Sequence, residues 1–296
     1  MNYVIAMLTR RPRLRHLVLL GGLAILALPV HGQEKIRGPA RIISLVPAVT
    51  EMLFAVGAGP RVIGVSSFDH FPPDVERLER VGALLDPNVE RILALRPDLV
   101  VVYRSQTDLI AQLGRAQIPT FVYAHAGLAD ITSTLRDVGA RAGAEERAGT
   151  LAAIIERRIG VLRKRFATGP RPKTLVVIGR DAFALRGIYA SGGVGFIHDM
   201  IVAAGGDNVF ADTKREAVQA TSELIIARAP EIILELRGDP IDEAMQRKEV
   251  QTWDTLASLP AVRNKRVRII ADARTVIPGP RVVEAVELLA GVLHRP

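Results

Sequence analysis

An eleven-residue unit that occurs twice restricts the architecture of this chain more than any other feature. Residues 88–98 (NVERILALRPD) align without gaps with residues 221–231 (TSELIIARAPE), placing Glu90 with Glu223 and Pro97 with Pro230. Each copy reads as a capped helix stopped by proline and followed by an apolar strand: Asn88 caps Val89–Arg96 before Leu99–Tyr103, and Ser222 caps Glu223–Arg228 before Ile232–Leu234. One such helix–Pro–strand unit in each half predicts an α/β protein of two lobes with related construction.

The flanking segments extend this pattern. Arg41–Leu45 reads as a strand, Pro47 as the first turn of a helix with Leu53, Phe54 and Val56 on its apolar face, and Val62–Ser66 as a second strand. Gly57 and Gly59 are placed to end that helix in the left-handed conformation. In the second half, Thr174–Ile178 reads as a strand and Phe196–Ala204 as a helix closed by Gly205-Gly206. From Glu145 onward Leu151, Ile154, Ile155, Ile159 and Leu162 fall at helical spacing with no proline, despite Gly149 and Gly160. The expected organisation is an N-terminal lobe over 41–126, a connecting helix over 145–168 and a C-terminal lobe over 173–296. A rigid helical connector implies small hinge motion between the lobes.

Charge is concentrated at the start. Of a formal +8, four charges (Arg10, Arg11, Arg13, Arg15) precede an apolar stretch from Leu17 to Val30 and a small-residue exit near Gly32. Basic, apolar and small segments in that order make 1–32 a secretory signal, cleaved near Gly32; the stretch is too short to span about 30 Å of hydrocarbon. Arg10-Arg11 leaves Sec and twin-arginine export both open. The rest of the chain has 35 basic against 31 acidic residues and no basic run with interleaved aromatics, so nucleic acid is not an expected partner. With no cysteine there is no lipid attachment at Cys, no disulfide and no thiolate metal site.

Three segments then carry a specific likeness: RIISLVPAVTEMLFAVGAG (41–59), VIGVSSFDHFPP (62–73) and NVERILALRPDLVVVYR (88–104), with WDTLASLPAVRNKRVRII (253–270) towards the end. Together they resemble the vitamin B12 and iron-chelate periplasmic binding family, the substrate-binding proteins of ABC importers, over nearly all of the chain beyond the signal. The resemblance implies two Rossmann-like lobes joined by a single long backbone helix (a class III periplasmic binding protein), a monomer in the periplasm, with ligand held between the lobes. It also implies that the chain is not an enzyme and needs no cofactor. The wording is nearest to the family's cobalamin-binding members, making a corrinoid the expected ligand and the membrane permease subunits the expected protein partner. By the same resemblance Glu90 and Glu223 are the docking acids, one per lobe, and ligand-facing positions fall at Phe68, Tyr103, Arg104, Tyr189, Asp272 and Arg274. Tyr103-Arg104 ends a buried strand, where α/β crevices hold ligands.

The departures matter. Leu84 and Ala217 stand where the cobalamin binders have tryptophans near the ligand, and Trp253 belongs to the C-terminal motif instead. Haem would need an axial Tyr or His, from Tyr103, Tyr189, His70, His125 or His198, with Arg104 for a propionate. A ferric siderophore would draw on Arg104, Arg180, Arg186, Arg237 and Arg274. Bare Zn or Mn is disfavoured, since there is no HxH or His-rich loop. Ser191-Gly-Gly-Val-Gly195 looks like a phosphate loop but lacks the dinucleotide and P-loop spacings. No GxSxG or HExxH motif favours an enzyme, and an export signal argues against a chelatase.

Overall fold

The computed structural model describes residues 38–124 and 127–294. The predicted signal segment and His125 lie outside them. The first sheet forms from β1 (Ile42–Ser44), β2 (Val62–Val65), β3 (Glu79–Arg80), β4 (Leu99–Tyr103) and β5 (Thr120–Tyr123), with helices α1 (Pro47–Ala55), α2 (Val89–Ala94) and α3 (Thr107–Arg115) between strands. Its order is β3-β2-β1-β4-β5 and every pairing is parallel. Strand order reverses between β1 and β4, so a crevice opens beyond their carboxyl ends, next to Tyr103. β4 is buried on both faces except at Tyr103, as its unbroken apolar run requires.

Helices α4 (Leu128–Ala142) and α5 (Glu145–Arg165) follow, turned against each other at the left-handed Gly143. The pair forms a hairpin: α4 packs on α1 of the first half, leaving one long helix to join the lobes, as expected from the sequence. The hairpin's second member is the predicted helix, 21 residues and about 31 Å long. Gly149 and Gly160 have no neighbour that a Cβ would meet, so they weaken the helix without marking a contact.

The second sheet contains β6 (Lys173–Gly179), β7 (Tyr189–Ser191), β8 (Asp207–Asn208), β9 (Ala217–Gln219), β10 (Ile232–Arg237) and β11 (Val267–Ala271). The order β11-β10-β6-β7-β9 has β10 parallel to both β11 and β6, whereas β7 is antiparallel to β6 and to β9, and β8 joins β6 at its start. Helices α6 (Phe196–Ala203), α7 (Ser222–Arg228), α8 (Glu243–Gln251), α9 (Pro260–Arg263) and α10 (Val282–His294) complete this half. One continuous apolar cluster runs from Val49 and Val101 of the first half through Leu135, Ile155 and Ile159 of the hairpin to Met200 and Val286 of the second. The halves therefore share a core rather than meeting through a bare linker.

The repeat holds at the level of single hydrogen bonds. Asn88 Oδ1 accepts from Arg91 N at 2.9 Å and Thr221 Oγ1 from Leu224 N at 3.3 Å, so the second cap is Thr221, not Ser222. Both helices leave through a left-handed non-glycine residue, Arg96 (φ 46) and Ala229 (φ 49), ahead of buried Pro97 and Pro230. Asp98 Oδ1 then accepts from Arg41 N at 2.8 Å and Glu231 Oε2 from Lys173 N at 2.9 Å, tying each unit to the first strand of its sheet. Of the glycines expected to end α1, only Gly57 is left-handed; Gly59 instead lies against Phe54, where a Cβ would come within 2.5 Å of the ring.

Candidate functional site

The carboxyl ends of the strands gather most of the predicted ligand positions. Phe68 follows β2 and is 66% exposed, a large apolar side chain that no core contact retains. Its loop is built from inside. Ser66 N donates to Asp69 Oδ2 at 2.9 Å, Phe68 N to Ser66 Oγ at 3.1 Å, and Arg80 Nη1 to the carbonyls of Ser66 and Asp69 at 3.1 and 2.6 Å. Asp69 is buried, which pushes its carboxyl above the ordinary range, and its Oδ1 has no hydrogen-bond partner among the described residues.

Tyr103 meets Tyr123 edge to face, with centroids 5.9 Å apart, and its backbone N–H donates to Gln106 Oε1 at 2.9 Å. The Gln106 amide also donates to Leu84 O at 3.1 Å. One buried glutamine thus fixes both the end of β4 and the turn bearing Leu84 and Leu85, the latter 93% exposed. Burial, with a smaller effect of the Asp69 charge, pushes the Tyr103 phenol up to about 12. Arg104 is exposed and makes no ion pair among the described residues.

In the second half Tyr189 pairs with Gly179, at the carboxyl end of β6, and is half exposed. Asp272 and Arg274 also lie beyond a strand end, but they are spent on each other. Arg274 Nε and Nη2 donate to the Asp272 carboxylate at 2.9 and 2.5 Å, and Nη1 reaches Glu284 at 2.9 Å. That hydrogen bonding holds Asp272 below the usual carboxylate range.

The arginines named for a siderophore divide sharply. Arg180 is 1% exposed and sits between Glu235 Oε1 at 2.9 Å and Glu249 Oε2 at 2.7 Å, both carboxylates buried. Arg237, one-third exposed, closes the square at 3.6 and 3.3 Å, and Trp253 Nε1 donates to Glu235 Oε1 at 2.5 Å. Arg180 and Trp253 therefore belong to the interior of the second lobe. Arg186 is exposed, 3.9 Å from Asp181.

The remaining candidates resolve individually. His198 Nδ1 lies 3.2 Å from Asn208 Nδ2, whereas His70 is exposed and 3.5 Å from Glu76. The glycines of the 191–195 loop make room for backbone: a Cβ on Gly192 would come within 2.0 Å of Arg215 O and one on Gly193 within 2.2 Å of Ala211 O. Their N–H groups donate to Glu216 O and Thr213 O at 2.9 and 2.8 Å, so neither faces a phosphate. The cavities away from the strand ends include one of about 590 Å³ lined by Arg171, Glu231, Arg266 and His294, at the opposite end of the second sheet.

Glu90 and Glu223 are exposed at the second helical position of α2 and α7. Its own backbone N–H, and less strongly the Thr221 side chain, lower the Glu223 carboxyl. Three residues on, Leu93 and Ile226 are 39% and 43% exposed. The sequence reading missed Gln106 and Leu85, as well as Glu51 and Arg281, which meet across 230 residues.

Two α/β sheets joined through a shared helical core define a two-lobed architecture of the kind that holds ligands at its strand ends. The chain belongs to the periplasmic binding protein family, whose sequence profile matches residues 42–273. Its relatives include the uncharacterized ABC transporter substrate-binding lipoprotein YvrC of Bacillus subtilis (28% identical; 86% of this chain, 80% of that one). The vitamin B12-binding protein of Yersinia pestis is 30% identical over 72% of each chain. Among solved structures, the periplasmic heme-binding protein RhuT from Roseiflexus sp. RS-1 superimposes with a TM-score of 0.75 at 28% identity, covering 87% of this chain and 98% of that one. The chain is accordingly an extracytoplasmic substrate-binding protein of an ABC importer and not an enzyme.

Proposed function

We propose that the ligand is a corrinoid, captured at the strand ends between the lobes by Phe68, Tyr103, Arg104 and Tyr189, with Asp272 and Arg274 at the margin. The observation that carries this reading is the wall itself: Phe68, Leu84, Leu85 and Tyr189 expose large apolar surface around few free charges. A siderophore would find Arg180 and Arg274 already engaged. Iron binding through phenolate at Tyr103 would work against surroundings that oppose its ionised form. Haem is the second reading, favoured by the half-exposed Tyr189 and by Arg104, which makes no ion pair among the described residues.

Glu90 and Glu223, each with an apolar neighbour one turn on, support docking of the two lobes on a pair of basic permease surfaces. Cleavage near Gly32 and a monomeric mature form complete the proposal. The ligand is tested by mixing purified protein with cyanocobalamin, haemin or ferric siderophores, desalting, and recording the visible spectrum. Retained cobalamin that persists in Tyr103→Phe and Tyr189→Phe is the expected result. A Soret band lost in Tyr189→Phe would replace corrinoid by haem, and retention of none would end the chelate reading.

A further inference from the structure

The loop that carries Phe68 is held from both lobes. At its far end Phe71 lies under the guanidinium of Arg281, which is 3.8 Å from the ring centroid and comes from the other half of the chain, just before α10. Arg281 is itself gripped by Glu51 of α1, with Nε donating to Oε2 at 2.9 Å and Nη2 to Oε1 at 2.5 Å. The Glu51 side chain is 2% exposed and that of Arg281 20%. Burial raises the Glu51 carboxyl, opposed by Arg281, so the guanidinium is what makes an anion tolerable there. The Gly279-Pro280 turn brings its backbone onto the same carboxylate: a Cβ on Gly279 would stand 2.9 Å from Glu51 Oε2. A second crossing lies at the start of α4, where Leu128 N donates to Asp199 Oδ2 of α6 at 2.8 Å.

We propose that Arg281 is a positioning residue for the ligand crevice, a bolt from the second lobe that fixes both the lobe separation and the presentation of Phe68. Bidentate pairing to Glu51 sets the distance between the lobes, and the stacked contact on Phe71 transmits it to the aromatic wall. The crevice is then already formed before ligand arrives, and ligand need not supply the free energy of closing it. The proposal rests on the interlobe reading of the site, but its test needs no ligand.

The chain has no cysteine, so spin labels can be placed without background. Exposed Arg115 of α3 and Glu243 of α8 are changed to Cys and labelled, and the interlobe distance distribution is measured by double electron–electron resonance. The parent should give one narrow distribution; Arg281→Met and Glu51→Gln should each broaden it about twofold or shift its mean, as a two-state opening would. Arg281→Lys should lie between, keeping the charge and losing the fork. A label pair inside the second lobe, Asp207→Cys with Glu243→Cys, should not change in any variant. An Arg281→Met protein that melts cooperatively and keeps the parental interlobe distribution overturns the proposal. If Arg281→Met does not fold, Glu51→Gln and Arg281→Lys decide by the same criterion. Cyanocobalamin retention by the parent is scored separately, so a wrong ligand and a missing bolt give different results.

Discussion

Replacing Arg180 with Met tests whether the buried charge square belongs to the architecture or to ligand binding. Methionine keeps the apolar stem and removes the guanidinium between Glu235 and Glu249, whose side chains are 3% and 2% exposed. Among the described residues Arg237, at 3.6 and 3.3 Å, would be the one cation left to the two carboxylates, with Trp253 Nε1 and Phe183 N still donating to them. Three carbonyls that Arg180 satisfies, those of Asp181, Ala184 and Glu249, would also lose a donor. Removing one member of a buried ion pair costs about 3–5 kcal/mol. For a urea dependence near the upper end of about 1–3 kcal/mol/M, the unfolding midpoint should fall by about 1–2 M. The single tryptophan, Trp253, is fully buried and bonded to Glu235, so its fluorescence reports the transition from inside the square. Cyanocobalamin retention should persist wherever the variant is still folded. An unchanged midpoint, or lost retention at full stability, would refute this reasoning and return Arg180 to the ligand set.

Two further outcomes follow from the site. On alkaline titration the Tyr103 phenol, pushed up to about 12, stays protonated in the folded chain after it has ionised in the unfolded one. Its contribution to stability is thus complete below pH of about 10 and is lost as pH rises towards about 12; Tyr103→Phe should remove that late step from the tyrosinate absorbance, and a titration unaltered by the substitution would refute the burial argument. For docking, Glu90→Ala combined with Glu223→Ala should weaken binding to permease-containing membrane vesicles by at least tenfold while leaving ligand retention intact. The loss should shrink as salt is raised. Equal loss of both properties would make the two acids structural.

What the sequence discloses and what it hides have a common physical cause, the range over which each interaction acts. The helix–Pro–strand repeat is legible because caps, prolines and apolar runs act within a few residues, and its two copies agree down to the Asp98 and Glu231 backbone contacts. Even there the cap is displaced by one, since Ser222 and Thr221 are both good caps and only the observed turn selects Thr221. Helix α4 is harder to read because Thr132, Ser133, Thr134 and Gly139 dilute its propensity, while Leu128, Ile131, Leu135 and Val138 bury one face. The end of a buried strand marks Tyr103 and Arg104 as candidates for the crevice, whereas Tyr189 follows from the family resemblance alone; nothing local distinguishes Arg104, without an ion pair among the described residues, from Arg180, enclosed by two glutamates. The Glu51–Arg281 contact spans 230 residues and has no signature in either neighbourhood.

The two halves agree where they meet the same chemistry and differ where they do not. The α2 and α7 units share cap, acid, exposed apolar residue, left-handed exit and proline, so they offer near-identical surfaces to any partner that is itself duplicated. At the strand ends the likeness stops: the first sheet is wholly parallel, whereas the second folds the antiparallel β7 beside β6 and thereby brings Tyr189 to the rim. On the proposed site, one wall would be Phe68, Leu84 and Tyr103, and the other Tyr189 with the closed Asp272–Arg274 pair. A ligand between such walls meets two unlike faces. It would take a preferred orientation even though the carrier is built from two related lobes, and a bolt at Arg281 would keep the unlike faces in one register while the like surfaces remain free to dock.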